Sequence, residues 1–420
     1  MAIQVFKFGG ASVQNAAGVK NVTEIIRSQQ EKELVIVVSA MAKTTNALES
    51  LADAAKNGNE SEAHAQFDAI RDFHYHIILE LFDEPEKIQQ LLEPYFDEIK
   101  RIVTGLLCLN EFPDRTYDRI MAFGELISSI ILREYLIYSG LLVEWFDARK
   151  IIKTDVQHQK AEVLWSITQQ TIQEQFIPVL KAGKMVLTQG YIASTLDHKT
   201  TTLGREGSDY SASIIGASLQ AQKVTIWKDV PGVMSADPKV VPNAVKIPSL
   251  SYEEAVSMTF YGASVIHPKT IKPLRNQKIP LVVNSFLQPD LTGTVIGLQT
   301  GNNQLSILQK KNQALISLKT RDFSFMDTST LYPMWVALNK AGIQVNLIAQ
   351  EAIQLYLCVD DKPETLQSFV AAVTEWLDVE IHHGFMLQTY LHAGIQFVPG
   401  EEAVISQRIG DKLFLVVKMR

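Results

Sequence analysis

Four short loops of this sequence carry residue types that can bind and neutralise an anion. In the first loop, an apolar run from Ile3 to Phe8 contains Lys7 and is followed by Gly9 and Gly10. Glycine lets a backbone approach an anion closely, and the N–H groups of a following helix would point at it. The stretch has neither the G-x-G-x-x-G nor the G-x-x-x-x-G-K-[ST] spacing. The stretch fits a plain strand-to-helix turn and a phosphate-binding loop equally well; in the second case Lys7 would neutralise the charge of the phosphate.

Small and hydroxyl residues make up the second loop, residues 38–46 (VSAMAKTTN), directly after a buried strand pattern. Ligands of α/β proteins bind outside the carboxyl ends of such strands, which makes Ser39 and Thr45 candidates. Capping of the next helix by Thr44, Thr45 or Asn46 is the alternative.

Further along, Glu125 in the helical stretch MAFGEL is either solvated or a carboxylate that binds an ammonium group.

The third loop, residues 200–212 (TTTLGREGSDYSA), is the richest in glycine, threonine and charge. Arg205, which we expect to be buried, can bind a carboxylate through two parallel hydrogen bonds. Asp209 opens a helical pattern, either as an N-cap or as the partner of a lysine or a metal ion. A surface loop with a simple helix cap is the alternative.

The fourth loop, residues 226–239 (IWKDVPGVMSADPK), follows a strand pattern with a charged pair and a Pro-Gly turn. Such a loop can border a nucleotide, although a hairpin-like turn explains it as well. His74, His76, His382 and His383 lack a plausible set of partners, so we expect no metal site built from a cluster of side chains.

The elements that would position these loops alternate between strand and helix patterns. Strand-like runs occur at residues 3–8, 33–39, 142–147, 185–191, 223–227 and 279–284. They predict an α/β domain with a three-layer αβα arrangement and a mainly parallel central sheet, over residues 1–300. A helical insertion at about 45–140 interrupts it. After a polar stretch at 298–312, a βαββαβ pattern predicts a ferredoxin-like α+β region over 310–420.

Composition narrows the function classes further. The net charge of −7 over 420 residues argues against nucleic acid as a partner, and no run is long and apolar enough for a membrane span. Cys108 and Cys358 lie in apolar stretches and predict buried thiols in a reducing compartment. With no signal-peptide pattern at the start, we expect a cytoplasmic protein.

Taken in order, these loops resemble the aspartate kinases of the amino-acid kinase superfamily. The matching words are KFGGASV (7–13), VVSAMAKTTNAL (37–48), MAFGELIS (121–128), TTLGREGSDYSA (201–212), WKDVPGVMSADPK (227–239) and FYGASVIHPKTI (260–271). The last 110 residues resemble the ACT-type regulatory modules of that family.

The resemblance implies transfer of phosphate from ATP, with Mg²⁺, to the β-carboxylate of L-aspartate, giving 4-phospho-L-aspartate. This is the first step of lysine, threonine and methionine biosynthesis. Lys7 would neutralise the transferred group and Asp209 would organise Lys7. Ser39 and Thr45 would line the aspartate site, where Glu125 receives the α-ammonium and Arg205 the α-carboxylate. The residues implied around ATP are Lys7, Gly9, Gly10, Trp227, Lys228, Asp229, Met234 and Lys239.

The chemistry agrees with these residue types. A substrate carboxylate with a pKa near ~3.9 is ionised at neutral pH, so it needs no general base. The obstacle is repulsion between two anions, which costs about 4 kcal/mol for unit charges about 4 Å apart at an effective dielectric near 20. Cations, N–H groups and in-line positioning must therefore provide the catalysis.

Several positions depart from the family pattern. Ala11 stands where threonine is usual, Glu206 where glycine is common, and Ser264 where many members have a lysine that contacts ATP phosphates. We expect Lys228, together with Lys269, to supply the missing charge. Met234 stands in place of a tyrosine and Lys239 in place of an arginine.

The resemblance also implies an amino-acid effector at the regulatory end and assembly into a homodimer or higher oligomer through the ACT-like region. The residues matching the effector stretch are Asn346, Leu347, Ile348 and Glu351, with no Ser or Thr before Glu351. We therefore predict weak feedback by lysine or threonine, or feedback that uses other contacts. Because the chain stops at Arg420, we expect no fused homoserine dehydrogenase.

Two other functions stay open. Another amino-acid kinase, for acetylglutamate or carbamate, would share the glycine loop. A weakly catalytic regulator that binds a nucleotide and an amino acid would fit Ser264 and Glu206.

Overall fold

A computed structural model of the chain describes residues 2–29, 33–109, 111–238, 241–263, 266–298, 304–394, 397 and 402–419. The chain forms two compact units. The first comprises Met1–Val233, Pro248–Tyr252 and Ile266–Thr300. The second comprises Met234–Ile247, Glu253–Val265 and Gly301–Arg420, so it takes in two segments that lie within the predicted 1–300 domain.

An eight-stranded sheet forms the centre of the first unit. Its strands are β1 (Gln4–Phe8), β2 (Leu34–Val38), β3 (Val143–Phe146), β5 (Met185–Gln189), β8 (Lys223–Lys228), β9 (Ser249–Ser251), β10 (Leu281–Ser285) and β11 (Thr294–Gly297). Their order is β3-β5-β2-β1-β8-β10-β11-β9, and only the β10–β11 pair is antiparallel. Every residue of β1 and β2 is buried, as expected for parallel strands covered on both faces.

The first unit also contains the helices α1 (Ala16–Arg27), α2 (Thr44–Lys56), α3 (Glu60–Leu81), α4 (Pro85–Leu109), α5 (Asp114–Tyr138), α6 (Ala148–Ile151), α7 (Trp165–Lys181), α8 (Gly207–Ser218) and α10 (Pro268–Gln277). Helices α5, α7 and α8 contact the eight-stranded sheet. Helix α5 is buried along most of its length from Asp118 to Leu136. A small sheet of β4 (Lys153–Thr154), β6 (Ile192–Thr195) and β7 (Thr200–Thr202) has the order β4-β6-β7.

The second unit contains one antiparallel sheet and two helices of a ferredoxin-like module. The elements are β12 (Ser306–Thr320), α11 (Thr328–Lys340), β13 (Val345–Gln350), β14 (Gln354–Asp360), α12 (Pro363–Val373), β15 (Leu377–Leu391), β16 (Ile405–Ile409) and β17 (Lys412–Lys418). The strand order is β13-β14-β12-β15-β17-β16. Helix α9 (Tyr252–Phe260) also lies almost entirely in this unit.

The predicted fold class, a mainly parallel α/β domain with a ferredoxin-like region, is confirmed. The prediction that both cysteines are buried is wrong for Cys108, which is exposed, whereas Cys358 is buried. Cys108 lies near the C-terminal end of the amphipathic helix α4, beside the exposed Leu109, on the side that does not contact the core. Within the described ranges, no helix combines the length and apolar character needed to cross a membrane.

Candidate active site

One cavity of about 570 Å³ lies in the first unit and brings together residues from all the loops considered above. Its volume suits a small-molecule site. It lies where β1, β2 and β8 end, which is the edge at which parallel sheets bind ligands. Its lining comprises Lys7, Gly10, Ser39, Ala40, Ala42, Thr45, Tyr117, Glu125, Gln159, Lys160, Tyr191, Gly204, Arg205, Glu206, Gly207, Ser208, Asp209 and Lys228.

Two lysines in this cavity share one buried carboxylate. Lys7 Nζ lies 2.7 Å from Asp209 Oδ1, and Lys228 Nζ lies 3.7 Å from Asp209 Oδ2. The strand register explains the convergence, since Lys7 pairs with Ile226 and Lys228 is two residues further along the same strand, on the same face. Burial alone would raise the pKa of Asp209, but the two ammonium groups hold it below its ordinary value. Asp209 is therefore the partner of lysines, and Glu206 occupies the N-cap position of α8 instead.

The glycine pair leaves space for the groups around it. A Cβ on Gly9 would lie 3.3 Å from Lys7 Nζ, and one on Gly10 would lie 2.7 Å from the carbonyl oxygens of Ala40 and Ala42. Ala42 N also donates to Gly10 O at 3.0 Å. A short 3₁₀ helix from Gly10 to Val13 follows. A side chain at Gly10 would therefore force the first and second loops apart.

Glu125 is a buried carboxylate with one oxygen engaged. Its Oε1 accepts from Ala40 N at 3.2 Å, while Oε2 has no hydrogen-bond partner within the part of the chain that the structure describes. Burial raises the pKa of Glu125 to about 8, although Ala40 N–H and the charge of Lys7 oppose the rise. The interpretation as a solvated helix residue is wrong, because α5 is buried at this point.

Arg205 lies on the cavity wall and is exposed, so the expectation of a buried arginine is wrong. It stands in a turn between Gly204, at φ +77°, and Glu206, at φ +54°. Glu206 Oε2 accepts from His267 N at 2.8 Å, and His267 is the N-cap of α10. Glu206 thus compensates for its left-handed backbone with a hydrogen bond at a helix end.

Ser39 and Thr45 both line the cavity. Ser39 O accepts from Ser128 Oγ at 2.7 Å, which ties the second loop to α5. Helix α2 begins at Thr44 after Lys43 without a side-chain cap, so capping by Thr44, Thr45 or Asn46 does not explain these residues.

The predicted nucleotide residues divide into several groups. Trp227 packs in the core, stacked on Phe8 with ring centroids 5.9 Å apart, which leaves only its backbone to border a ligand. Asp229 is exposed just beyond β8. Met234 belongs to the second unit, in an isolated bridge with Lys246. Lys239 and Ser264 lie outside the described residues.

Lys269 lies 3.9 Å from Glu162 and lines a different groove, with Trp165 and Lys272. Among the described residues, no group of three or more His, Cys, Asp or Glu side chains is placed to hold a metal ion.

Sequence reasoning missed four residues of the cavity wall, which lie outside the loops considered above. They are Tyr117, Gln159, Lys160 and Tyr191. The loop with Gln159 and Lys160 contains no glycine or recognisable spacing, so no signal indicated it. Burial raises the pKa of Tyr191, whose ring therefore stays neutral at physiological pH.

The residues matching the effector stretch lie on and just after β13. Asn346 is buried, and its Oδ1 accepts from Lys310 Nζ at 2.9 Å. Its Nδ2 donates to Gln313 at 2.7 Å and to Asp360 at 2.9 Å. Leu347 is buried, whereas Ile348 and Glu351 are exposed. The polar groups of Asn346 are thus bound by side chains of its own unit.

Residues 2–285 match the amino acid kinase family. The chain is 32% identical over 394 residues to lysine-sensitive aspartokinase 3 of Escherichia coli (strain K12), covering 92% of this chain and 86% of that protein.

Two solved structures of E. coli aspartokinase III are also similar to this chain. One contains lysine and aspartate (T-state), and the other contains aspartate and ADP (R-state). Each superposes with a TM-score of 0.83 at 28% identity; the match covers 100% and 99% of this chain, respectively, and 96% of each solved chain.

Proposed function

Since the chain belongs to the amino acid kinase family, and within it to the aspartokinases, we propose that its cavity holds L-aspartate beside the terminal phosphate of ATP. The phosphoryl group passes from ATP to the β-carboxylate, giving 4-phospho-L-aspartate and ADP. The observation that carries this proposal is the convergence of Lys7, Glu125, Arg205, Asp209 and Lys228 on one cavity.

The amino acid is held by opposite charges at its α-carbon. Glu125 Oε2, buried and without a partner among the described residues, receives the α-ammonium group. Arg205 binds the α-carboxylate, and Ser39 and Thr45 line the space between. The β-carboxylate then faces Lys7, whose charge also reaches Glu125.

Lys7 and Lys228 neutralise the charge that develops on the transferred group. Asp209 fixes both ammonium groups before ATP arrives, so little reorganisation is needed during the reaction. Gly9 and Gly10 let the backbone approach the phosphates. Two cations hold Asp209 ionised. The substrate carboxylate carries no proton that must be removed, so the proposed reaction needs no general base.

Mg²⁺ accompanies ATP in this proposal and neutralises phosphate charge when bound. The cavity has few carboxylates, and Asp209 already pairs with lysines. Phosphate oxygens and water would therefore hold the ion, rather than a cluster of protein side chains. Asp229, Met234 and Lys239 stay predictions for the remaining nucleotide contacts. We further propose a cytoplasmic location, assembly through the second unit, and an amino-acid effector there.

A coupled assay of ADP release tests this function. We expect release that depends on L-aspartate and is lost in Lys7→Ala. Release that depends on acetylglutamate or carbamate would favour another kinase of the family. Nucleotide binding without release in the presence of any of these substrates would favour the regulator.

A further inference from the structure

Asp118 is a fully buried carboxylate that neither lines the cavity nor has a role in the proposed reaction. It lies on α5 seven residues before Glu125, which places both carboxylates on the same side of the helix, about two turns apart. Burial raises the pKa of Asp118, and its hydrogen bonds oppose that rise. Burying a carboxylate is costly unless donors satisfy its oxygens.

Three donors surround this carboxylate, and they come from two separate segments. His158 Nδ1 lies 2.7 Å from Oδ2, and Gln159 N lies 3.1 Å from each oxygen. Thr202 Oγ1 donates to Oδ1 at 2.6 Å. The first two donors belong to the loop between β4 and α7, and the third ends β7.

Both segments continue directly into the cavity wall. Gln159 is itself a lining residue, and Thr202 is followed by Leu203, Gly204 and Arg205. Ala161 N donates to Thr202 O at 3.1 Å, so the two segments also contact each other. The carboxylate of Asp118 therefore joins the loop that carries Arg205 to its neighbour.

The contact between the two segments is close at the cavity. A Cβ on Gly204 would lie 3.1 Å from Gln159 O, so the arginine loop packs against this backbone. Gln159 has φ +64°, a conformation that a non-glycine residue keeps only when its surroundings fix it. Asp118 fixes its N–H group, and Asp114 accepts from its Nε2 at 2.9 Å.

We propose that Asp118 is a positioning residue for the amino-acid substrate, because it ties the Arg205 loop to the helix that carries Glu125. One rigid helix then sets both ends of the recognition site, the carboxylate for the α-ammonium and, through Asp118, the arginine for the α-carboxylate. This inference rests on the proposed function, which assigns those two groups to the α-carbon of aspartate. The lysines that face the phosphates lie on strands and do not depend on this link.

The test compares paired variants of the donors around Asp118. His158→Leu and Thr202→Val remove a donor, whereas His158→Asn and Thr202→Ser keep one. We expect the first two to raise the KM for aspartate about tenfold, with the KM for ATP within about twofold of the unaltered protein. The second two should stay near the unaltered values. Asp118→Asn should raise the KM for aspartate at least as much as His158→Leu.

Thermal unfolding of each variant shows that the assays use folded protein. Equal increases in both KM values, or an unchanged KM for aspartate in folded His158→Leu and Thr202→Val, would overturn the inference. Arg205→Ala and Glu125→Gln separate this result from the proposed function. If these two raise the KM for aspartate while the Asp118 partners do not, only the positioning role fails. If Arg205→Ala and Glu125→Gln also leave the KM for aspartate unchanged, the assignment of the substrate site itself fails.

Discussion

Lys7 Nζ lies 2.7 Å from Asp209 Oδ1, and the two side chains are only 11% and 4% exposed. Breaking such a buried pair leaves one charge without its partner, which is more damaging than losing both. The lysine that faces the transferred phosphate is thus also part of the structure of the unit. Replacing Lys7 should therefore affect stability as well as turnover.

We expect Lys7→Ala to abolish turnover and also to lower the free energy of unfolding by about 3 kcal/mol, since Asp209 keeps only Lys228 at 3.7 Å. Lys7→Met combined with Asp209→Asn removes both charges and should recover most of that stability. Denaturant unfolding and ADP release measure the two effects separately. Recovery of activity in the double variant would contradict the role of Lys7.

The raised pKa of Glu125 predicts that the stability of the protein depends on pH. This pKa is about 8 in the folded protein and 4.5 when exposed, so between these values the folded state binds more protons than the unfolded state. The free energy of unfolding should therefore fall as pH rises from about 4.5 to about 8, by on the order of 5 kcal/mol in all. Glu125→Gln should remove this part of the slope. An unchanged slope would show that burial does not shift this carboxyl.

The same pKa affects substrate binding, because only ionised Glu125 attracts an ammonium group. We expect kcat/KM for aspartate to rise as pH approaches about 8, since this ratio reports the free enzyme. Glu125→Gln should lower the ratio and flatten its pH profile. A profile in Glu125→Gln that still rises over this range would assign the titration to another group.

Glu206 can be tested by separating its charge from its hydrogen bond to His267 N at 2.8 Å. Glu206→Gln keeps an acceptor and should preserve stability while lowering the KM for aspartate, because a negative charge leaves the cavity wall. Glu206→Ala loses the bond but keeps the left-handed backbone at φ +54°, and should cost about 2 kcal/mol. Glu206→Gly relieves the backbone and should cost less. Equal stability of the alanine and glycine variants would show that the backbone at position 206 is not strained.

Lys228 and Lys269 provide a test and its control for phosphate binding. Lys228 lines the cavity, whereas Lys269 lies beside Glu162 in a separate groove. We therefore expect Lys228→Ala to raise the KM for ATP about tenfold, and Lys269→Ala to leave it within about twofold. An unchanged KM for ATP in Lys228→Ala would exclude its contribution to phosphate binding.

Feedback by free lysine should be weak. The amide of Asn346 is bound by Lys310, Gln313 and Asp360, so its polar groups have partners before an effector arrives. Steady-state assays with lysine, threonine and methionine measure the effect directly. Strong inhibition by micromolar lysine would show that this network opens or that other residues bind the effector.

Local patterns predict the framework of the cavity well. Alternation of strand and helix indicates the parallel sheet, and loops after β1, β2 and β8 must then meet at one edge. The register that aims Lys7 and Lys228 at Asp209 comes from the structure, because strand order alone does not set it. The Asp118 network does not follow from local patterns either, because it joins α5, a loop without glycine and the end of β7 through contacts distant in the sequence. Likewise, no residue pattern distinguishes the buried indole of Trp227 from one that borders a nucleotide.

ADP release with and without L-aspartate, measured on the unaltered protein with ATP and Mg²⁺, tests the central claim most directly. Convergence of Lys7, Glu125 and Arg205 on one cavity predicts release that saturates with aspartate and is absent without it. Release that does not change when aspartate is added, or that requires a different acceptor, would contradict it.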